Sequence, residues 1–156
     1  MANLLQFAKN LCFPLLPGHH RPTTHEYSPY VLVVDDDPTI RSLLTEALSL
    51  EGYLVRAVPG GYDALLTLQE FHNCNLLLLD LVMPGLNGEQ TLKKLRNYSP
   101  QLPAVIMTGH DKDDCLPALK QIGIDGFIEK PFLISEILQV TAQFLAGDPP
   151  IVRQGG

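Results

Sequence analysis

Residues 76–85 read Leu76-Leu77-Leu78-Leu79-Asp80-Leu81-Val82-Met83-Pro84-Gly85, four leucines running into an aspartate and then into a Pro-Gly turn. An unbroken apolar run of this length, closed by turn residues, is the pattern of a strand buried on both faces of a parallel sheet; periodicity alone leaves a buried helix segment open. On the strand reading Asp80 stands at the carboxyl edge, where open α/β sheets place ligands and chemistry. A second run has the same form: Tyr30-Val31-Leu32-Val33-Val34 ends in Asp35-Asp36-Asp37. Two buried strands would thus deliver carboxylates at their ends.

The segments between and beyond these runs alternate in kind. Pro38 suits a first helical turn, Asp37 an N-cap and Gly52 a stop, with Ile40, Leu43, Leu44, Ala47, Leu48 and Leu50 as the apolar positions. Residues 53–58 read as a short strand, and Gly60-Gly61 leads into a helix with Ala64, Leu65, Leu68 and Phe71 on one face. After Asp80, residues 83–88 read as a loop and 88–97 as a helix with Leu92 and Leu95 inward and Lys93, Lys94 and Arg96 outward. Residues 103–107 form the next expected strand, closing on Thr108-Gly109-His110. Residues 111–122 read as a weaker helix, because Pro117 lacks an N–H and crowds the preceding turn. The last strand is expected over 125–129, followed by Lys130-Pro131-Phe132 and a helix through Ile134, Ile137, Leu138, Phe144 and Leu145, closed by Gly147. Five strands alternating with five helices predict an α/β fold, a parallel sheet with helices on both faces.

Composition narrows the class. A chain of 156 residues, 46% hydrophobic and 18% charged, supports one core flanked by tails. Residues 30–147 carry eight Lys or Arg against fifteen Asp or Glu, a net −7, while the flanks contribute +1 and 0. So acidic a domain argues against direct nucleic-acid binding through a basic face. Cys12, Cys74 and Cys115 are odd in number and widely spaced, as reduced cytosolic thiols are. No apolar run reaches the roughly 18 residues needed to span a bilayer. The N-terminal apolar stretch is broken by Gln6, Lys9 and Asn10 and lacks a cleavage site, unlike a secretory signal. A cytoplasmic protein is expected.

Residues 1–29 read as an extension. Leu4, Leu5, Ala8, Leu11 and Cys12 recur at helical spacing over residues 2–13, which suits a tail, a helix lying on the domain, or a docking or membrane-surface element. Residues 14–29 contain four prolines and read as a linker; His19, His20 and His25 near Cys12 match no known metal-ligand spacing. Residues 148–156 read as a disordered tail.

In the predicted architecture Asp35, Asp36, Asp80, Thr108 and Lys130 all lie at or just beyond strand carboxyl ends, on one edge of the sheet. Three carboxylates there raise one another's pKa unless a cation compensates. Mg²⁺ suits such a site, since it takes oxygen ligands and is typically held by one or two carboxylates plus a phosphoryl group. Lys130 can neutralise a phosphoryl oxygen and Thr108 can donate to another. Asp80 is then a nucleophile that forms an acyl phosphate. Singly, these residues read as a helix cap, a turn residue and a solvated charge. Jointly, caps do not explain why acid, acid, hydroxyl and ammonium each close a buried strand.

Four motifs occur in order over residues 30–147: Val33-Val34-Asp35-Asp36-Asp37-Pro38, Leu78-Leu79-Asp80 with Met83-Pro84-Gly85-Leu86-Asn87-Gly88, Met107-Thr108-Gly109, and Phe127-Ile128-Glu129-Lys130-Pro131-Phe132. In this the chain resembles a response-regulator receiver domain of two-component signalling, of the chemotaxis-regulator type. The resemblance implies a flavodoxin-like, doubly wound sheet of order 2-1-3-4-5. It implies Asp80 as phosphoacceptor, Asp36 as a direct Mg²⁺ ligand, Asp35 acting through water and the backbone carbonyl of Val82 as a further ligand. It also implies Thr108 and Phe127 as a switch pair, and Lys130, before a cis Pro131, as the phosphoryl-binding lysine.

Val82 and His110 stand where the family tunes phosphoryl lifetime, two residues beyond Asp80 and Thr108. An apolar Val82 cannot position an attacking water, so a long-lived phosphorylated state is expected; His110 also reads as an exposed loop histidine. The implied partners are a sensor histidine kinase or a histidine phosphotransfer protein, and a downstream protein bound through about 111–146. No output domain is expected after residue 147, so the chain reads as a stand-alone receiver signalling by protein contact. It would not be an enzyme beyond self-catalysed transfer to Asp80 and slow autodephosphorylation.

Two rival functions compete with this one. Asp35-x-Asp37-x-Thr39 after a strand also fits the first motif of a haloacid-dehalogenase-like phosphatase, but after Lys130 only Glu136 and Asp148 are acidic, too few to complete that site. It also leaves Asp80 without a role. A receiver acting as a phosphorylation-independent binding module is the other, and the complete residue set argues against it.

Overall fold

The computed structural model describes residues 29–109 and 112–146. The readings on residues 2–13, on His19, His20 and His25, on His110 and on the C-terminal tail lie outside the described residues.

The long apolar runs became the inner strands. Tyr30–Val34 (β1), Cys74–Asp80 (β3) and Ala104–Thr108 (β4) are flanked by Val55–Val58 (β2) and Gly126–Glu129 (β5) in one parallel sheet of order β2-β1-β3-β4-β5. All five residues of β1 and of β4 are buried, as is Leu76 to Asp80 in β3. Strand alternation divides the core in two. Leu32, Val34, Leu77, Leu79 and Ile106 face the cluster that includes Ala64, Leu92 and Leu119, whereas Val31, Val33, Leu76, Leu78, Val105 and Met107 face Leu44, Leu48 and Ile137. The first cluster is covered by helices Gly61–Glu70 (α2), Gly88–Tyr98 (α3) and Lys112–Ile122 (α4), and the second by Pro38–Leu50 (α1) and Ile134–Leu145 (α5). No helix among the described residues is long and apolar enough to cross a membrane.

Helix ends follow local chemistry. Asp37 caps α1, its carboxylate accepting from Thr39 N at 2.7 Å, with Pro38 as first helical residue. Asn87 and Gln90 close a reciprocal capping box on α3. Pro117 lies inside α4, which nonetheless stays helical through Ile122. The sequence reading places β2 too early, at residue 53; Tyr53 packs against the α1 and α5 cluster and the strand begins at Val55. It also points Arg96 outward. In the structure the Arg96 side chain is only 14% exposed and reaches the amino ends of the sheet.

Candidate functional site

β1 and β3 are neighbours, and their carboxyl ends place Asp35, Asp36 and Asp80 together: one ligand oxygen from each lies within 4.8 Å of the others. Their environments differ. Asp35 is fully buried and Asp80 is 5% exposed, while Asp36 faces solvent. Lys130 arrives from β5, 95 residues along the chain from Asp35, and its Nζ donates to Asp35 Oδ2 at 2.7 Å and lies 3.4 Å from Asp80 Oδ1. The ammonium thus bridges the two buried carboxylates.

The electrostatics follow from that bridge. Burial pushes the Asp80 carboxyl above the usual carboxylate range; Lys130 pulls it back, and Asp35 adds to the rise. Burial is therefore a larger cause than the acid–acid repulsion expected from the sequence. Burial would lower the Lys130 pKa, but its hydrogen bond to Asp35 and the charges of Asp35 and Asp80 outweigh that and raise it.

Backbone contacts hold the acids in place. Asp35 Oδ1 accepts from Asp37 N at 2.9 Å, and Arg41 Nη1 donates to the carbonyls of Asp35 at 2.8 Å and Asp36 at 3.0 Å. Arg41 escaped the sequence reading. Its only signal was a cation one turn inside a helix whose preceding loop carries three acids. Asp37 is exposed, committed to its cap, and no member of the cluster. A phosphatase reading that needs Asp37 beside Asp35 loses a residue on this ground.

Of the remaining predicted residues, Thr108 and Phe127 stand on β4 and β5, and Val82 follows β3. Met107 pairs with Asp80 across the sheet, so the buried Thr108 sits one residue beyond it at the end of β4. Thr108 also pairs with Glu129, and its carbonyl accepts from Lys130 N at 2.8 Å. Phe127 pairs with Ile106 and packs, half-buried, against the α2–α4 side of the core. The Lys130–Pro131 peptide is cis. Val82 is 50% exposed, and its N–H points to Asp80 Oδ1 at 3.5 Å. A hollow of about 580 Å³ between Leu68, His72, Leu102 and Phe144 opens at the opposite edge of the sheet and includes none of these residues.

The donor set is all oxygen, with one carboxylate open to solvent and two buried. Such a set fits a hard divalent cation better than a nitrogen- or sulfur-seeking metal.

Residues 31–142 match the family described as response regulator receiver domain, and the chain belongs to it. Among curated relatives it is 34% identical over 108 residues to the response regulator MprA of Mycobacterium ulcerans, covering 69% of this chain and 46% of that protein. It is 39% identical over 108 residues to the DNA-binding transcriptional regulator NtrC of Proteus hauseri, covering 69% of this chain and 23% of that one. The chain therefore spans less than half the length of these relatives, which are regulators longer than the receiver unit. Among solved structures it is similar to the chemotaxis protein CheY4 of Vibrio cholerae, with a TM-score of 0.71 and 26% identity over 74% of this chain and 98% of that one. The receiver domain of NtrX from Brucella abortus matches with a TM-score of 0.69 and 31% identity, again over 74% and 98%.

Proposed function

We propose that Asp80 accepts a phosphoryl group from a phosphohistidine on a sensor histidine kinase or a histidine phosphotransfer protein. The observation that carries this reading is the buried Asp80 carboxylate, bridged through Lys130 to Asp35 and sharing a cation-sized cluster with Asp35 and Asp36. An Asp80 oxygen attacks phosphorus, a P–O bond forms as the P–N bond breaks, and the electron pair leaves with the imidazole, which takes up a proton. Asp36 and Asp80 would hold Mg²⁺ directly together with the Val82 carbonyl, with Asp35 acting through water; bound there, the ion offsets the carboxylate and phosphoryl charge. Lys130 then exchanges part of its contact with Asp80 for a phosphoryl oxygen, and the Thr108 hydroxyl donates to another. Because the nucleophile is already a carboxylate, no general base is required.

Occupancy is relayed by Thr108 and Phe127, which stand on the adjacent strands β4 and β5, to a protein-binding surface over about 111–146. The chain's own residues catalyse transfer to Asp80, and no separate substrate is turned over. The half-exposed, apolar Val82 offers an attacking water no polar partner, so hydrolysis is slow.

Incubation with phosphoramidate and Mg²⁺, followed by acid quench and peptide mass spectrometry, tests the assignment. Phosphate is expected on the peptide containing Asp80, with none in Asp80→Asn. Label on Asp35, or turnover of phosphomonoesters, would overturn it in favour of a phosphatase.

A further inference from the structure

The backbone that carries Asp80 and Val82 is wedged from behind by two close approaches that leave no room for a side chain. Gly88, the first residue of α3, is buried and donates its N–H to the Leu81 carbonyl at 2.9 Å. A Cβ on Gly88 would overlap the Asp80 carbonyl oxygen and stand 2.7 Å from Leu81 Cα. One layer further out, Gly61 opens α2 and is also buried. A Cβ there would overlap the Thr91 hydroxyl and stand 2.8 Å from the Leu86 carbonyl oxygen.

Neither neighbour of Gly61 can yield freely. Thr91 is fully buried and its hydroxyl donates to the Asn87 carbonyl at 2.7 Å, inside the turn that caps α3. Leu86 belongs to the loop between β3 and α3, where it and Met83 are each only 6% exposed. Close-packed interiors transmit a displacement of this kind instead of absorbing it. The contacts run from α2, through Leu86 and Thr91, to Gly88 and the Asp80–Leu81 backbone.

We infer that Gly61, through its contact with Thr91 and Leu86, is a positioning residue that sets the Asp80 to Val82 backbone for cation binding. The inference rests on the proposed Mg²⁺ and phosphoryl role of that backbone. Groups that orient metal ligands without touching the metal typically change affinity by about 10- to 100-fold when altered. Gly60 supplies an internal control: its backbone is extended, and a Cβ there meets nothing nearer than Asp63 Oδ2 at 3.5 Å.

The test is Mg²⁺ titration by calorimetry and by amide NMR of Leu81 and Val82, with phosphoramidate labelling of Asp80 run alongside. Gly61→Ala is expected to bind Mg²⁺ about tenfold more weakly than wild type, with the Leu81 and Val82 amides already displaced in metal-free protein. Gly60→Ala is expected to match wild type. Should Gly61→Ala not fold, Gly61→Ala/Thr91→Ala is compared with Thr91→Ala, since the pair removes the overlapping hydroxyl but keeps the pressure on the Leu86 carbonyl; severalfold weaker binding is expected. Equal affinity within whichever pair folds, or a Gly60→Ala loss as large as that of Gly61→Ala, overturns the inference alone. A wild type that neither binds Mg²⁺ nor labels Asp80 overturns the functional reading and this inference with it.

Discussion

The two edges of the sheet handle charge in opposite ways. At the carboxyl edge Asp35, Asp36 and Asp80 converge on Lys130, and the buried Asp80 carboxyl is pushed up. At the amino edge Arg96 sits among oxygens: Nη1 donates to the Leu102 carbonyl at 2.6 Å, Nε to the Gly123 carbonyl at 2.9 Å, and Nη2 to Gly123 and to Asp125. Asp125 in turn accepts from Ala104 N at 2.9 Å, so the α3 end, the turn before β5 and the start of β4 are joined through one guanidinium. The amino edge matches its charge within the chain and contributes rigidity. The carboxyl edge concentrates more negative charge than the bridging ammonium offsets, which would favour a cation there. Charge is thus balanced at one end of the strands and left in excess at the other.

Breaking the satisfied edge should cost most. Arg96→Met removes donors from the carbonyls of Leu102 and Gly123 and leaves Asp125 without its cation. Each buried group deprived of a partner costs about 1–3 kcal/mol, so a loss of about 3 kcal/mol is expected in urea unfolding. Under conditions where the variant is folded, labelling of Asp80 should proceed at the wild-type rate. A variant with unchanged stability would remove the contrast between the edges.

The opposite result is expected at the carboxyl edge. The Asp80 pKa is raised in the folded state, so folded protein binds that proton more tightly than unfolded chain. The corresponding stability is present below the unfolded-state pKa and is lost as pH rises through the folded one. Asp80→Asn removes that loss. In metal-free buffer at neutral pH it should melt a few degrees above wild type, the scale on which single substitutions move a domain of this size. The gap should close as pH falls below the carboxylate range, and also when Mg²⁺ is added to wild type. An Asp80→Asn variant that melts lower at neutral pH without metal would show that the acidic edge is as well compensated as the other.

The smallest effect on stability belongs to Val82. Because the side chain is half-exposed, Val82→Asn should shift unfolding by no more than about 0.5 kcal/mol. Its amide can orient a water, so decay of phosphorylated Asp80, followed by acid-quenched mass spectrometry, should quicken severalfold. A wild-type half-life of only seconds with Mg²⁺, or no change in the variant, would remove Val82 as a control of lifetime.

Much of this is legible in the sequence. β1, β3 and β4 stood out because parallel strands covered on both faces need uninterrupted apolar runs, and Asp37 announced its cap because only a short polar side chain reaches the N–H groups of a first turn. Edge strand β2 was harder to bound. It is only partly buried, so no apolar run distinguishes Tyr53 from Val55. The sequence points Arg96 outward because an arginine near a helix end is usually solvated, and the oxygens that receive it come from turns up to 29 residues away. In sequence Gly61 and Gly88 mark only where helices begin, since a glycine kept for lack of space is indistinguishable from one kept for its dihedral freedom.

The sequence by itself determined the alternation of strands and helices, the arrival of Asp35, Asp36, Asp80, Thr108 and Lys130 at strand ends, and the family those motifs announce. Hydrophobic periodicity and turn chemistry are local, and they are written in consecutive residues. Tertiary structure alone decided that Asp35 is buried while its neighbour Asp36 meets solvent, and that Lys130 bridges Asp35 to Asp80. It also decided that Arg41 and Arg96 are anchors and that Gly61 presses on the loop behind the acidic cluster. Such facts depend on which surfaces meet when distant segments pack, and on the desolvation each charge then undergoes.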